Sequence, residues 1–331
     1  MSSSSTTAAS PGTWRPQATE LHTVACPLCA GRAFEVLAST DRYDMDLVTV
    51  GCQDCGLVMT NPQPTEPALN QFYTHHYRHY YQRVEVPDLD YLQKTRKIER
   101  AATTAAFLSE RGLLPANGTV LDIGAAEGAI LHAVRQREPS LRAIAVEPNP
   151  QFGAFARDYA GCELYPALES LPAAYAGGID LIIINHVLEH IADPVSFLAS
   201  LRPWLKPGGK LYIDVPDVEA YTGLEALHIA HLYHFCERSY RATLARAGYA
   251  VASLEHHTPL MHPPSLRLVA GSSAEPLTVA VGSGREGWRQ LVRIERRAVR
   301  FHRRRWSAGH KLLHLLRWLL RPSTRRYGLW S

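Results

Sequence analysis

Four cysteines near the start of the sequence have the spacing of a metal site. They form two C-x-x-C pairs, Cys26/Cys29 and Cys52/Cys55, separated by 22 residues. Matched thiol pairs at this spacing are typical of a closed four-thiolate zinc site of the ribbon type, which is structural because catalytic zinc needs an open position. We predict that zinc folds this segment, with a hairpin in residues 33–50. The alternative is four free, buried cysteines.

A second set of polar residues lies at the ends of apolar runs. Residues 119–123 predict a strand, Gly124 predicts a tight turn, and Gly128 begins an amphipathic helix. No glycine follows Gly124 at the spacing of a G-x-G-x-x-G fingerprint, so the bend suits a nucleoside better than a pyrophosphate. A second predicted strand ends at Glu147, 19 residues after Gly128. An acid at that strand tip can accept both hydroxyls of a ribose.

These motifs resemble a known enzyme family. Asp122-x-Gly124-x-x-x-Gly128, Glu147, and the runs 179–194 and 205–214 are similar, in order and spacing, to the successive motifs of class I S-adenosylmethionine-dependent methyltransferases. The resemblance implies an α/β fold with a Rossmann-like seven-stranded sheet, helices on both of its faces, and S-adenosyl-L-methionine as cofactor. It places the following residues at the cofactor: Asp122, Gly124, Ala125, Gly128, Glu147, Pro148, Ala167, Leu168, Asn185 and His186.

This chain departs from the family at the adenine loop. Many relatives begin that loop with Asp, whereas here Ala167 or Leu168 takes the place. Backbone amides would therefore have to contact the adenine. In the same resemblance Asp122 would order the glycine loop or reach the methionine amine, and Asn185 or His186 would face the methyl donor or the acceptor.

The N-terminal third resembles a subgroup of these enzymes. C-x-x-C-G-L-V, then N-P-x-P and an aromatic stretch at 72–81, is similar to methyltransferases with a zinc ribbon that are associated with sugar or polysaccharide tailoring. The resemblance implies a small-molecule or glycan-related acceptor, such as a sugar nucleotide. The Tyr/His-rich stretch predicts either a cover over the active site or a partly buried amphipathic helix with its polar tips in water.

Three histidines are candidates for proton transfer during methylation. His231 and His234 fall in the loop that the family places above the sheet, and His186 follows the fourth strand. A histidine there could take a proton from a hydroxyl or amine, although histidines in such loops also cap helices. His190, four residues after His186, would share a helical face with it. We interpret His190 as structural, since H-x-x-x-H alone is a weak metal motif.

Charge is distributed unevenly along the 331 residues. Residues 285–331 hold 14 Lys and Arg against 2 acids, although the net charge of the chain is only +4. The body is therefore acidic, which argues against nucleic acid as a partner. Residues 288–321 predict basic amphipathic helices that lie on an anionic membrane or pack on the body or on a second protomer.

The composition predicts a cytoplasmic protein. No 18-residue apolar run and no secretory signal occurs, and paired C-x-x-C motifs suit a reducing compartment. The expected organisation is a disordered leader at 1–20, a zinc ribbon at 21–60, a linker and lid at 61–114, a methyltransferase domain at 115–275 and a basic helical tail at 276–331. Two other functions stay open: an RNA methyltransferase and a non-catalytic, zinc-containing, membrane-associated adaptor.

Overall fold

The computed structural model describes residues 14–42, 46–77, 81, 84–223, 226–273, 285 and 288–294. The predicted leader lies outside these residues up to position 13. Trp14 lies among the described residues, and its ring packs on Phe72 with centroids 4.8 Å apart. The last residues of the predicted leader, Ala18–Glu20, form a short 3₁₀ turn.

A seven-stranded sheet forms the centre of the molecule, as predicted. Its strands are β6 (Thr119–Ile123), β7 (Arg142–Val146), β8 (Glu163–Tyr165), β9 (Ile179–Asn185), β10 (Leu205–Pro216), β12 (Tyr249–His257) and β13 (Ser265–Ser272). They lie in the order β12-β13-β10-β9-β6-β7-β8. β8, β7, β6, β9 and β10 pair in parallel, whereas β13 runs antiparallel to β10 and to β12. The carboxyl ends of the five parallel strands therefore share one edge.

Helices cover both faces of this sheet. They are α1 (Glu66–His75), α2 (Leu89–Lys94), α3 (Lys97–Glu110), α4 (Ala129–Arg137), α5 (Pro150–Ala160), α6 (Pro194–Leu201) and α7 (Glu237–Arg246). Neighbouring strand residues such as Val120 and Leu121 belong to different buried clusters. One cluster includes residues of α3 and α4, and the other includes residues of α6 and α7. The strands are apolar on both faces for this reason.

The end of the predicted linker and lid, residues 89–110, forms two helices. These are α2 and α3, with Arg96 between them at a φ of 54°. A left-handed residue cannot continue an α-helix, so the chain changes direction there.

The four cysteines belong to a smaller unit with its own sheet. β2 (Phe34–Thr40) and β3 (Asp46–Cys52) form the predicted hairpin, and β4 (Val58–Thr60) pairs with β3. The fourth strand, β11 (Tyr233–His234), comes from the loop above the large sheet and pairs with β4. A two-stranded ribbon joins β1 (Leu21–His22) to β5 (Gln63–Pro64). The small unit is thus attached to the loop that carries the candidate histidines.

The start of the predicted basic tail packs on the small unit. Residues 288–294 are helical, and Trp288, Leu291 and Ile294 are buried. Trp288 Nε1 donates a hydrogen bond of 3.0 Å to the carbonyl oxygen of Gly56. The apolar face of this helix is therefore covered by the body, which is the second of the two alternatives that the sequence left open for these residues. Residues 295–321 lie outside the described part of the chain.

No helix within the described ranges combines the length and the apolar character that crossing a bilayer requires.

Candidate active site

The glycine bend lies at the carboxyl end of β6. Gly124 has a φ of 73° and Gly128 a φ of 74°, a region that favours glycine. A Cβ atom on Gly124 would lie 2.5 Å from Val187 Cγ2, and one on Gly128 would lie 2.9 Å from Ala156 Cβ. Both glycines are therefore required by packing as well as by conformation. At Gly124 the close neighbour is a side chain from the loop after β9.

Glu147 reaches this bend from the tip of the next strand. Its Oε2 accepts a hydrogen bond of 2.9 Å from the backbone N–H of Ala126, and its Oε1 accepts one of 2.9 Å from the N–H of Asn149. Ala126 has a φ of 49°, which turns its N–H toward the carboxylate. The carboxylate is buried, and a carboxylate oxygen can accept more than one hydrogen bond.

Three acids converge behind the bend. Asp122, Glu127 and Glu147 are all buried. Burial, together with the nearby charges of Glu127 and Glu147, raises the pKa of Asp122 well above its ordinary range. Lys97 Nζ lies 2.8 Å from Glu127 Oε2 and offsets part of the charge. The resulting negative potential favours a cationic ligand.

The other residues expected at the cofactor surround the same sheet edge. Ala125 follows Gly124 in the bend, and Pro148 connects Glu147 to Asn149, which caps α5. Ala167 precedes a short 3₁₀ turn at Leu168–Ser170 after β8. Asn185 ends β9 and pairs with Asp214 of β10. They lie at or just after the carboxyl ends of four strands, where open α/β sheets bind ligands.

His186 and His231 both face one buried carboxylate, that of Glu189. His186 Nδ1 lies 3.4 Å and His231 Nε2 lies 3.9 Å from Glu189 Oε1. Burial opposes a charge on His186, but Glu189 and Asp214 outweigh it and raise the pKa of His186. Burial lowers the pKa of His231 well below its ordinary value, and the nearby histidines, chiefly His228, lower it further.

His234 occupies a different position. It lies in β11, and its Nδ1 is 3.0 Å from the hydroxyl of Tyr221. Burial lowers the pKa of His234 to about 3, so the ring is neutral at neutral pH. Its ring centroid is 6.0 Å from that of His231. The structure therefore brings His186 and His231 together on Glu189 and leaves His234 beside Tyr221.

Aromatic side chains of the predicted lid contact this histidine cluster. Tyr73 Oη lies 3.1 Å from His190 Nδ1, and the Tyr81 ring lies 4.7 Å from that of His228. Part of the lid, residues 78–80, 82 and 83, lies outside the described residues. Sequence reasoning did not single out His228. Glu189 stands between His186 and His190 in the sequence, but their H-x-x-x-H motif was set aside as too weak to indicate a metal.

The four N-terminal cysteines converge as predicted. Their sulfur atoms all lie within 4.8 Å of one another, and Cys26 Sγ is 3.4 Å from Cys55 Sγ. A disulfide needs about 2.05 Å, so these are free thiols, and a zinc ion with bonds of about 2.3 Å fits sulfurs at such separations. The hydrogen bond between Cys26 and Cys55 lowers the pKa of Cys26 to about 6 and raises the pKa of Cys55, so Cys26 is the first of this pair to ionise.

A family comparison identifies the main domain. The sequence model of a methyltransferase domain matches residues 91–254, the segment from α2 to β12. Residues 91–254 form a methyltransferase domain. The glycine bend, Glu147 and the loop after β9 all lie inside the matched segment, whereas the four cysteines precede the methyltransferase domain.

Curated relatives match part of this methyltransferase domain. A ubiquinone biosynthesis O-methyltransferase of Xanthomonas axonopodis pv. citri (strain 306) is 29% identical over 136 residues, which cover 38% of this chain and 56% of the relative. A trans-aconitate 2-methyltransferase of Azoarcus sp. (strain BH72) is 28% identical over 136 residues, covering 40% of this chain and 52% of the relative. The chain spans about half the length of the curated relatives it matches.

Solved structures with bound S-adenosyl ligands are also similar. The magnesium protoporphyrin IX methyltransferase from Synechocystis PCC 6803 with bound SAH is 17% identical, with a TM-score of 0.47. The superposition covers 62% of this chain and 99% of that one.

Proposed function

We propose that this protein transfers a methyl group from S-adenosylmethionine to an oxygen atom of a small-molecule or glycan-related acceptor. The observation that carries the proposal is the contact between Glu147 and the N–H of Ala126, since it brings the ribose-binding carboxylate to the glycine bend. The cofactor has a sulfonium and an ammonium group, and the buried acids Asp122, Glu127 and Glu147 suit both. The names of the matched relatives, which include O-methyltransferases, support an oxygen acceptor.

We propose roles for individual residues from the family resemblance together with the geometry of the site. Glu147 would accept the ribose hydroxyls, Asp122 would face the methionine amine, and backbone amides near Ala167 would contact the adenine. Methyl transfer from a sulfonium is an in-line displacement, so the protein contributes mainly orientation and proton removal. We assign proton removal to His186, because its neighbour Val187 packs on Gly124 and its Nε2 has no hydrogen-bond partner within the described residues.

The cofactor part of the proposal is tested by calorimetry with S-adenosylmethionine on the full chain. Glu147→Gln keeps an acceptor for the N–H of Ala126 but removes the charge, and a lost charged hydrogen bond of about 1.5–3 kcal/mol weakens binding by roughly 10- to 150-fold. Glu163→Gln is the matched control, because that carboxylate lies on the neighbouring strand and pairs with Arg142 and Tyr175. Equal affinity in wild type and Glu147→Gln would contradict the assignment.

The catalytic part is tested by turnover with a panel of small phenolic, carboxylic and sugar-nucleotide acceptors. His186→Asn should lower turnover by roughly 10²- to 10⁴-fold, the usual contribution of a general base, while leaving cofactor affinity within about twofold. His132→Asn is the control, since His132 packs on Tyr159 of α5, away from the histidine cluster. Undiminished turnover in His186→Asn would remove that residue from the mechanism without affecting the cofactor assignment.

A further inference from the structure

Glu189 is a buried carboxylate that lacks conventional partners. Only 1% of its side chain is exposed, and neither oxygen accepts a hydrogen bond of acceptable geometry from the described residues. A buried ionised carboxylate is costly unless a cation or several donors compensate it. Its surroundings are instead rich in imidazole groups, which come from the loop after β9 and from the loop before β11.

His190 is held in the orientation of a metal ligand. Its Nδ1 donates a hydrogen bond of 2.7 Å to the carbonyl oxygen of Ala230, and the Tyr73 hydroxyl lies beside the same nitrogen. The other nitrogen, Nε2, then carries a lone pair and points at Glu189 Oε1, 3.9 Å away. A histidine that binds a metal commonly donates its second nitrogen to a backbone carbonyl in this way.

His231 approaches the same carboxylate oxygen from the opposite segment. Its Nε2 is also 3.9 Å from Glu189 Oε1. The backbone around it is fixed, because Leu232 donates its N–H to the carbonyl oxygen of Glu189 at 2.9 Å, and Thr60 Oγ1 binds the carbonyl oxygen of His231 at 3.0 Å. The ring is thus positioned by two elements that are distant in sequence.

The distances suit an ion between the three side chains. One ligand atom from each of Glu189, His190 and His231 lies within 4.8 Å of the others. At 3.9 Å the nitrogen–oxygen pairs are too long for hydrogen bonds, and they exceed by about 0.5 Å the roughly 3.4 Å between two ligands of a tetrahedral ion with bonds of about 2.1 Å. Side-chain shifts of a few tenths of an ångström would bring all three ligand atoms to bonding distance from one metal ion.

We propose that Glu189, His190 and His231 bind a divalent transition-metal ion at a site separate from the four cysteines. Two imidazoles and one carboxylate favour zinc, iron(II) or cobalt(II) over magnesium or calcium, which prefer oxygen ligands. Three protein ligands leave coordination positions open, unlike the closed thiolate site. An acceptor oxygen could occupy one of these open positions. Binding of the acceptor by the metal rests on the proposed methyl transfer, whereas metal binding itself does not.

An ion pair within the protein is the competing explanation. His186 Nδ1 lies 3.4 Å from Glu189 Oε1, and a protonated His186 would compensate the carboxylate without any metal. The two explanations predict different numbers of metal ions bound per chain. A metal site adds one equivalent of bound metal per chain to the one held by the cysteines, and an ion pair adds none.

Metal analysis of the full chain decides between them. The protein is stripped with a chelator, reloaded with excess Zn²⁺ or Co²⁺, desalted and analysed by atomic emission. Wild type should hold two equivalents, and Glu189→Gln and His231→Asn should each hold one. His132→Asn should hold two, because His132 bonds to the backbone of Tyr159 and to Gln136 outside the cluster. A wild-type count of one equivalent that both Glu189→Gln and His231→Asn retain overturns the proposal.

Two further measurements exclude trivial results. Cobalt bound by the cysteines gives thiolate charge-transfer absorption, whereas cobalt at Glu189 does not, so Glu189→Gln and His231→Asn should each lose one equivalent of cobalt and keep that band. Thermal unfolding shows whether Glu189→Gln is folded, and S-adenosylmethionine affinity is measured on the same samples. A protein that holds two equivalents of metal but does not bind S-adenosylmethionine would contradict the proposed function and leave the metal site standing. If both Glu189→Gln and His231→Asn retained the second equivalent of metal, the proposed metal site would be contradicted and the proposed function would not be affected.

Discussion

Thr60 donates its hydroxyl to the backbone carbonyl oxygen of His231, with 3.0 Å between the two oxygens. Thr60 belongs to β4 of the cysteine unit, and His231 belongs to the loop above the large sheet. The contact is reinforced by the N–H of Thr60, which donates to the carbonyl oxygen of Leu232 at 2.9 Å. The small unit therefore sets the position of a candidate site residue although its cysteines do not line that site.

Thr60→Val should lower the free energy of unfolding by about 1–3 kcal/mol, because it leaves a buried carbonyl without its donor. It should also weaken metal binding at Glu189 or lower methyl transfer. Thr49→Val is a close control, since Thr49 pairs with Thr60 across β3 and β4 and its buried hydroxyl has no hydrogen-bond partner in the described chain. Denaturant unfolding of both variants provides the measurement. Equal losses of stability in Thr60→Val and Thr49→Val would show that the hydrogen bond from Thr60 to His231 does not stabilise the fold.

Asp122→Asn should stabilise the ligand-free protein at neutral pH. The pKa of Asp122 is raised in the folded state, so the unfolded state ionises first and gains stability as pH rises above about 3.9. The stabilisation by Asn should therefore be absent at pH 3 and grow toward neutral pH. We expect a rise in Tm of at least about 2 °C at pH 7, the scale of 1 kcal/mol in a domain of this size.

Thermal melts of Asp122→Asn from pH 3 to pH 8 test this direction. Asp158→Asn serves as the control, because Asp158 is exposed and its pKa is lowered by Arg157 rather than raised. A variant whose stability difference from wild type did not vary with pH would show that Asp122 is ionised normally in the fold.

Gly128→Ala should be more destabilising than Gly177→Ala. Both glycines have positive φ, so each substitution costs about 1–2 kcal/mol in backbone strain. A Cβ at Gly128 also lies 2.9 Å from Ala156 Cβ, which adds about 1–3 kcal/mol of overpacking, whereas nothing lies within 4 Å at Gly177. Urea unfolding of the pair separates the two terms. Identical urea midpoints for the two variants would mean that α5 shifts to accommodate the added methyl group without a cost in stability.

Trp288→Ala should destabilise the cysteine unit by about 3–5 kcal/mol and speed zinc release to a chelator. The indole is buried, and Gly51 makes room for it, since a Cβ there would lie 2.1 Å from Trp288 Cε2. Trp288→Phe keeps most of the packing and loses the hydrogen bond to Gly56, so its effect should be intermediate. Zinc release is followed with a chromogenic chelator. A Trp288→Ala variant that released zinc at the wild-type rate would refute the role.

Local sequence patterns predicted most of the elements. The apolar run at 179–185 and the glycines at 124 and 128 mark a strand and a strand–turn–helix, because short-range sterics and burial act on consecutive residues. The break at Arg96 was missed because nothing in that residue type demands a positive φ. β11 was missed because two residues carry no periodicity, and only their pairing with β4 makes them a strand.

The candidate site was predicted only in part, because local patterns can be read from the sequence and contacts between distant segments cannot. Glu147 could be placed at the bend, since the ends of adjacent parallel strands meet. Glu189 could not, because its importance depends on His231, which reaches it from a loop more than 40 residues later in the chain. Sequence reasoning also left open whether the helix of Trp288 lies on a membrane or packs on the body, because the space that Gly51 provides for the indole is visible only in the fold.

The late origin of β11 has a consequence for synthesis on the ribosome. Thr60 and His231 are 171 positions apart, so the cysteine unit emerges long before the strand that completes its sheet. Until then β4 presents an unpaired edge, which is a place for wrong pairing with another nascent chain. Early zinc capture would hold the hairpin together during that interval, and the growing chain would close the sheet only after most of the large domain had been made.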